Sequence, residues 1–177
     1  MKPGGRASEK RDGPPAGAAW IKTASSGTGI VRRNSRAAER QEMFMVTRRA
    51  ECSCGQLSIA CKGEPVRISV CHCLACKRRT GSAFSFNARF PKGDVVVEGR
   101  SREFTRVGDD GGRVTYSFCP DCGTTVHYRI DVQPDLVAVP AGAFADVSFP
   151  PPFVSVYHDS RRYPWVEIRA DPLRTDG

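Results

Sequence analysis

The sequence predicts a mainly β domain built from antiparallel sheets, and three observations carry that prediction. From residue 48 onward the chain runs in short segments in which apolar and polar residues alternate, the period of a strand with one buried face. Clusters of Gly, Pro and Asp, the residues of tight turns, separate these segments. No regular succession of strand and long amphipathic helix is present, which removes the βαβ units of a parallel sheet.

Taken in order, residues 1–44 stand apart. Trp20, Ile21, Ile30 and Val31 are scattered bulky groups without periodicity, and nine basic residues face four acidic ones. Such a stretch buries too little apolar surface to offset its ordering entropy, so a disordered basic tail is expected ahead of a domain over 45–177. Because Met43 and Met45 stand directly before the first patterned segment, the tail is alternatively a stretch upstream of the true start. In the first strand Leu57, Ile59 and Cys61 form the core face, and Gln56, Ser58, Ala60 and Lys62 point to solvent. Further strands are read at 67–70, 84–90, 95–98, 102–107, 113–118, 124–130, 136–139, 153–158 and 165–169. Residues 108–112, two Asp among three Gly, make a turn between neighbouring strands. Only 74–79 reads as a short helical turn.

Composition narrows the function. The chain has 177 residues, 27 Lys and Arg against 19 Asp and Glu, a formal charge of +8 and eight cysteines. No apolar run approaches the roughly 18 to 20 residues of a membrane-spanning helix, and no secretory leader is seen, since the apolar stretch 16–21 is short and ends at Lys22. A reducing, cytoplasmic setting is therefore expected, in which clustered thiols are metal ligands rather than disulfides.

Seven cysteines fall into three groups: Cys52-x-Cys54-Gly, Cys71-His-Cys73-x-x-Cys76 and Cys119-Pro-x-Cys122-Gly. A Cys-Pro-x-Cys-Gly turn aims two thiolates at one point and leaves backbone N–H groups free to donate to sulfur. Cys52 and Cys54 pair with Cys119 and Cys122 as the four sulfurs of a structural zinc. Cys71, Cys73 and Cys76 remain as a three-thiolate site for a second zinc with its fourth position open, the mark of a catalytic or ligand-binding ion. Its low Lewis acidity suits a soft ligand such as a substrate thiolate, which it would activate as a nucleophile. Either His72 or Cys61 could instead close that site and make it structural. His72 lies between two ligands, where its side chain should point away, and Cys61 belongs to the buried face of its strand.

These groups, with Arg79-Thr80-Gly81-Ser82 after the second and Phe118 and Thr124 flanking the third, resemble the glutathione-dependent formaldehyde-activating enzyme family, which includes centromere protein V. Residues 139–142, 156–158, 160–162 and Trp165 are similar to that family's C-terminal strands, so the likeness covers about 48–170. The resemblance implies an Mss4-like fold organised around zinc knuckles, two zinc ions per chain on the cysteines named above, and a carbon–sulfur lyase that adds glutathione to formaldehyde to give S-hydroxymethylglutathione.

Other residues admit two readings. Lys77, Arg78 and Arg79 either hold the carboxylates of glutathione or are a solvated basic run. His127 and His158 are either proton donors near zinc or ordinary core and surface histidines. Phe84 and Phe86 share a strand face and are assigned to the core. A small-molecule thiol or aldehyde is the expected partner. The alternative is a non-catalytic module whose basic tail contacts nucleic acid or chromatin, although the body lacks the interleaved basic and aromatic residues of a nucleic-acid surface.

Overall fold

The computed structural model describes residues 46–108 and 111–176. The readings of residues 1–44 as a disordered tail, and of a later start, lie outside them. Eleven strands are present among the described residues: β1 (Thr47–Glu51), β2 (Ser58–Lys62), β3 (Arg67–Cys71), β4 (Ser85–Pro91), β5 (Val95–Glu98), β6 (Arg102–Val107), β7 (Arg113–Phe118), β8 (Thr125–Ile130), β9 (Leu136–Pro140), β10 (Val154–Val156) and β11 (Arg174–Asp176). Helix α1 (Leu74–Thr80) follows β3, and a short helix, α2 (His158–Arg161), follows β10. The protein is mainly β.

Two sheets form. The smaller has the order β1-β2-β5 and is antiparallel; the larger, of eight strands, has the order β11-β10-β3-β4-β9-β8-β7-β6. All pairings in the larger sheet are antiparallel except that β10 runs parallel to both β3 and β11. Alternation explains the core between the sheets. Leu57, Ile59 and Cys61 from the small sheet meet Ala88 and Phe90 of β4, Val137 and Val139 of β9, and Val126 of β8, with Phe144 closing the cluster. Leu57, Ile59 and Phe90 are fully buried, each contributing on the order of 2 kcal/mol of hydrophobic stabilisation.

The other face of the large sheet follows from the register. Cys71 pairs with Ser85, Ser69 with Asn87 and Arg67 with Arg89 across β3 and β4, while Arg89 opposes Ala138, Ala138 opposes Tyr128 and Tyr128 opposes Tyr116. Directly paired residues share a face. One continuous outer face therefore carries Ser69 and Cys71, then Ser85, Asn87 and Arg89, then the tyrosines. A register shift between Ser117 and Phe118 turns Val126 into the core while Tyr128 stays outside.

Several expectations need correcting. Ser58 is buried rather than solvent-facing, because β2 is the central strand of its sheet, flanked by Glu51 and Glu98 at that position. The aromatic strand at 84–90 begins one residue later. No strand forms at 165–169, where Trp165 is exposed and stacked on Tyr163 and only Val166 is buried. The strand at 153–158 shrinks to β10, because Tyr157 adopts a left-handed conformation (φ 55°) that starts α2. Neither the parallel docking of β10 nor β11 was expected. Phe84 and Phe86 are half-buried, edge-on to His72 and to Phe149 respectively.

Candidate metal centres

Two tight turns of the same construction approach one another. In the first, Cys52 N–H donates to the Leu57 carbonyl and Gly55 N–H to the Cys52 carbonyl; in the second, Cys119 N–H donates to Thr124 and Gly123 N–H to Cys119. Both glycines have positive φ, 77° and 75°, the conformation that lets the chain turn back so tightly. The turns bring Cys52, Cys54, Cys119 and Cys122 together with all Sγ atoms within 4.8 Å of one another. Cys54 Sγ lies 3.5 Å from Cys52 Sγ and 3.6 Å from Cys119 Sγ. Four sulfurs at about 2.3 Å from a tetrahedral zinc stand roughly 3.8 Å apart, so this donor set fits the ion.

Donors surround the sulfurs. Leu57 N–H reaches Cys52 Sγ at 3.3 Å, Asp121 N–H reaches Cys119 Sγ at 3.4 Å, and the Gln56 amide reaches Cys119 Sγ at 2.9 Å. Against the cost of desolvation, the Gln56 amide and the N–H groups of Cys122 and Asp121 hold the Cys119 thiol below its ordinary range. Cys122 is pulled down to about 5 by the Thr124 hydroxyl and N–H. Such bonds stabilise thiolates, the form a metal requires.

The second cluster lies at the end of β3 and the start of α1. Cys71, the last residue of β3, and Cys73 and Cys76 bring their sulfurs within 4.8 Å of one another. Cys73 caps α1: its backbone is extended and its sulfur accepts the Cys76 N–H at 3.3 Å. Hydrogen bonds from Cys71, then Cys76, hold the Cys73 thiol far down, at about 2, and the same contact with Cys73 pushes Cys71 up. Three thiols this close share protons, and a dication is the natural means of ionising all three. The three-sulfur set thus also fits zinc.

Neither proposed fourth ligand joins the trio. His72 is fully buried on the opposite side of the sheet, with Nε2 3.1 Å from Ser155 Oγ, which lies 2.8 Å from His158 Nδ1. Pleating explains this, since His72 follows Cys71 and Ser155 precedes Val156, the partner of Cys71 in β10. Burial, then the His158 and Lys77 charges, lowers the His72 pKa. Cys61 sits in the core, where desolvation raises its thiol to about 12. His127 is buried, with its pKa lowered mainly by desolvation.

A cavity of about 190 Å³ opens beside the trio, and its walls are the outer face described above: Ser69, Asn87 and Arg89, with Arg106, Tyr116, Tyr128, Val156 and Tyr157. Lys77, Arg78 and Arg79 are not among the residues that line this cavity, while Arg78 and Arg79 line a neighbouring one with Ala75 and Tyr116. Lys77 Nζ donates to the Arg161 carbonyl at 2.6 Å and lies over the Tyr163 ring; Arg78 is exposed; Arg79 lies over the outer rings of Tyr116 and Tyr128. Alternation on β4 could have pointed to Ser85, Asn87 and Arg89, three polar residues at period two in an interior strand.

Fold and site together define a class: a mainly β protein with one four-cysteine and one three-cysteine cluster, both compatible with zinc, and a cavity at the second. A family model, described as glutathione-dependent formaldehyde-activating enzyme, matches residues 47–160, and the chain belongs to that family. A crystal structure of a Rhodobacter sphaeroides protein is similar at 22% identity and a TM-score of 0.43, covering 54% of this chain and 85% of that one. No curated protein matches the chain.

Proposed function

We propose that the protein is a zinc-dependent carbon–sulfur lyase that joins glutathione, or a related thiol, to a small aldehyde, with formaldehyde as the prototype. In this reading Cys52, Cys54, Cys119 and Cys122 hold a structural zinc, and Cys71, Cys73 and Cys76 hold the catalytic one in a reducing cytoplasm. The observation that carries it is the convergence of exactly three sulfurs on the wall of a cavity, with His72 and Cys61 both directed elsewhere. Family membership supports the substrate class.

Zinc bound there would keep a substrate thiol ionised at neutral pH. The protein's own part is to orient the reactants and supply a proton. In the addition, a carbon–sulfur bond forms, the carbonyl π pair moves onto oxygen, and that oxygen takes up one proton in place of the one the thiol released; nothing is oxidised or reduced. Tyr116 and Tyr128 line the cavity, and burial, aided by the Cys76 charge, raises both phenols, so they remain O–H donors at neutral pH. No helix among the described residues is long and apolar enough to cross a membrane.

The test combines metal analysis with NMR of glutathione and 13C-formaldehyde. Two zinc ions per chain and adduct formation faster than the uncatalysed reaction are expected, with the acceleration lost in Cys73→Ser. An adduct rate equal to that of buffer, in protein carrying both ions, would overturn the reading.

A further inference from the structure

We infer that Arg89 and Asn87 on β4 read the substrate, Arg89 by taking a carboxylate of the bound thiol and Asn87 Oδ1 by accepting one of its N–H groups. This rests on the reading that a thiol binds at Cys71, Cys73 and Cys76. It assigns substrate recognition to a strand interior rather than to the basic run after Cys76.

Arg89 lines the cavity half-buried. One guanidinium nitrogen donates to Gln133 Oε1 at 2.5 Å, Nε is buried with no partner, and no carboxylate among the described residues pairs with it. Its cross-strand neighbour Arg67 adds a like charge and has its own partner, Asp176, at 3.2 Å. A desolvated cation held without a counter-ion is costly, and guanidinium stays charged at any physiological pH. The arrangement suits an anion that arrives with the ligand, and the planar fork of Arg favours a carboxylate.

Asn87 is 2% exposed. Its Nδ2 donates to Ser85 Oγ at 2.9 Å. Oδ1 of the same amide is buried and has no hydrogen-bond partner. A buried carbonyl oxygen beside a cavity calls for an N–H from whatever fills it. Soft sulfur ligation, a cation and an unpartnered acceptor along one wall describe a thiol that carries both a carboxylate and an amide or amine, as a cysteinyl peptide does.

A guanidinium that merely offset the charge of a three-thiolate centre would act alike on every thiol, and that difference is measurable. The fully metallated, cobalt-substituted protein is titrated with 2-mercaptoethanol, 3-mercaptopropionate and glutathione, and the sulfur-to-cobalt absorption is followed. Wild type should bind 3-mercaptopropionate about 10-fold more tightly than 2-mercaptoethanol, the scale of one charge-assisted hydrogen bond. Arg89→Gln should erase that preference without changing the affinity for 2-mercaptoethanol. Asn87→Leu should weaken glutathione by roughly 5- to 10-fold and spare 3-mercaptopropionate. Equal weakening of both small thiols in Arg89→Gln, no preference in wild type, or cobalt loading below wild type in that variant would overturn the inference while thiol binding stands. A cobalt spectrum that no thiol perturbs would overturn the proposed function as well.

Discussion

Cys73 performs two tasks with one sulfur atom, since it belongs to the three-cysteine cluster and also accepts the Cys76 N–H, one of the free donors in the first turn of α1. The two tasks separate by substitution. Serine keeps a capping oxygen but is a poor zinc ligand, whereas alanine removes both functions. Cys73→Ser should lower the zinc content from two ions per chain to one with a folded far-UV spectrum, and Cys73→Ala should be less stable than the serine variant by about 1 kcal/mol in urea denaturation. Tyr128 gives a second residue-scale prediction. Its folded pKa is raised by burial, so its stabilising contribution is complete below the unfolded value of about 10 and is lost as pH rises toward the folded one. Above about pH 10 the stability of wild type should fall by up to ~1.4 kcal/mol per pH unit more steeply than that of Tyr128→Phe. Coincident alkaline profiles would show that the phenol ionises freely in the folded protein.

At the scale of elements, the link between β5 and β6 shows how a distant turn supports a cysteine. Gly99 has φ 95°, and a Cβ placed there would lie 1.8 Å from the Gln56 carbonyl oxygen. That closeness lets the Gln56 side chain donate to the Arg100 carbonyl at 2.8 Å, accept the Arg100 N–H at 3.1 Å and reach Cys119 Sγ. Gly99→Ala must move backbone against backbone, and should cost more than about 2 kcal/mol in denaturant unfolding and weaken zinc retention at the four-cysteine cluster under chelator. Alternation made β2 and most of the larger sheet legible in the sequence, because Leu57, Ile59 and Phe90 bury one face and leave the other polar. The cysteine groupings were legible because chelating turns need fixed spacing. The cavity wall was not, since Asn87 and Tyr128 come together only through the order β4-β9-β8, a non-local pairing that no period reveals. The C-terminal segment was misread for a related reason: Trp165 has the β propensity of a strand residue, yet no sheet edge pairs with it, and it stacks on Tyr163 in solvent.

For the whole molecule, the two clusters differ in what they join. Cys52 and Cys54 lie on the turn between β1 and β2 of the small sheet, and Cys119 and Cys122 on the turn between β7 and β8 of the large one, so a metal held by all four would pin one sheet to the other beside the shared core. Cys71, Cys73 and Cys76 span only the end of one strand and the first turn of one helix, and their removal from a metal leaves the sheet contacts in place. Metal loss should therefore proceed in two stages of unequal consequence. A chelator titration should first release one zinc per chain together with thiol binding while far-UV and near-UV circular dichroism hold steady. The second zinc should leave only with cooperative unfolding, and Cys119→Ser should resemble that second stage from the outset. Release of both ions in one step together with the fold, in wild type and Cys73→Ser alike, would show that the three-cysteine centre carries structure as well, and would withdraw the division of labour between the clusters.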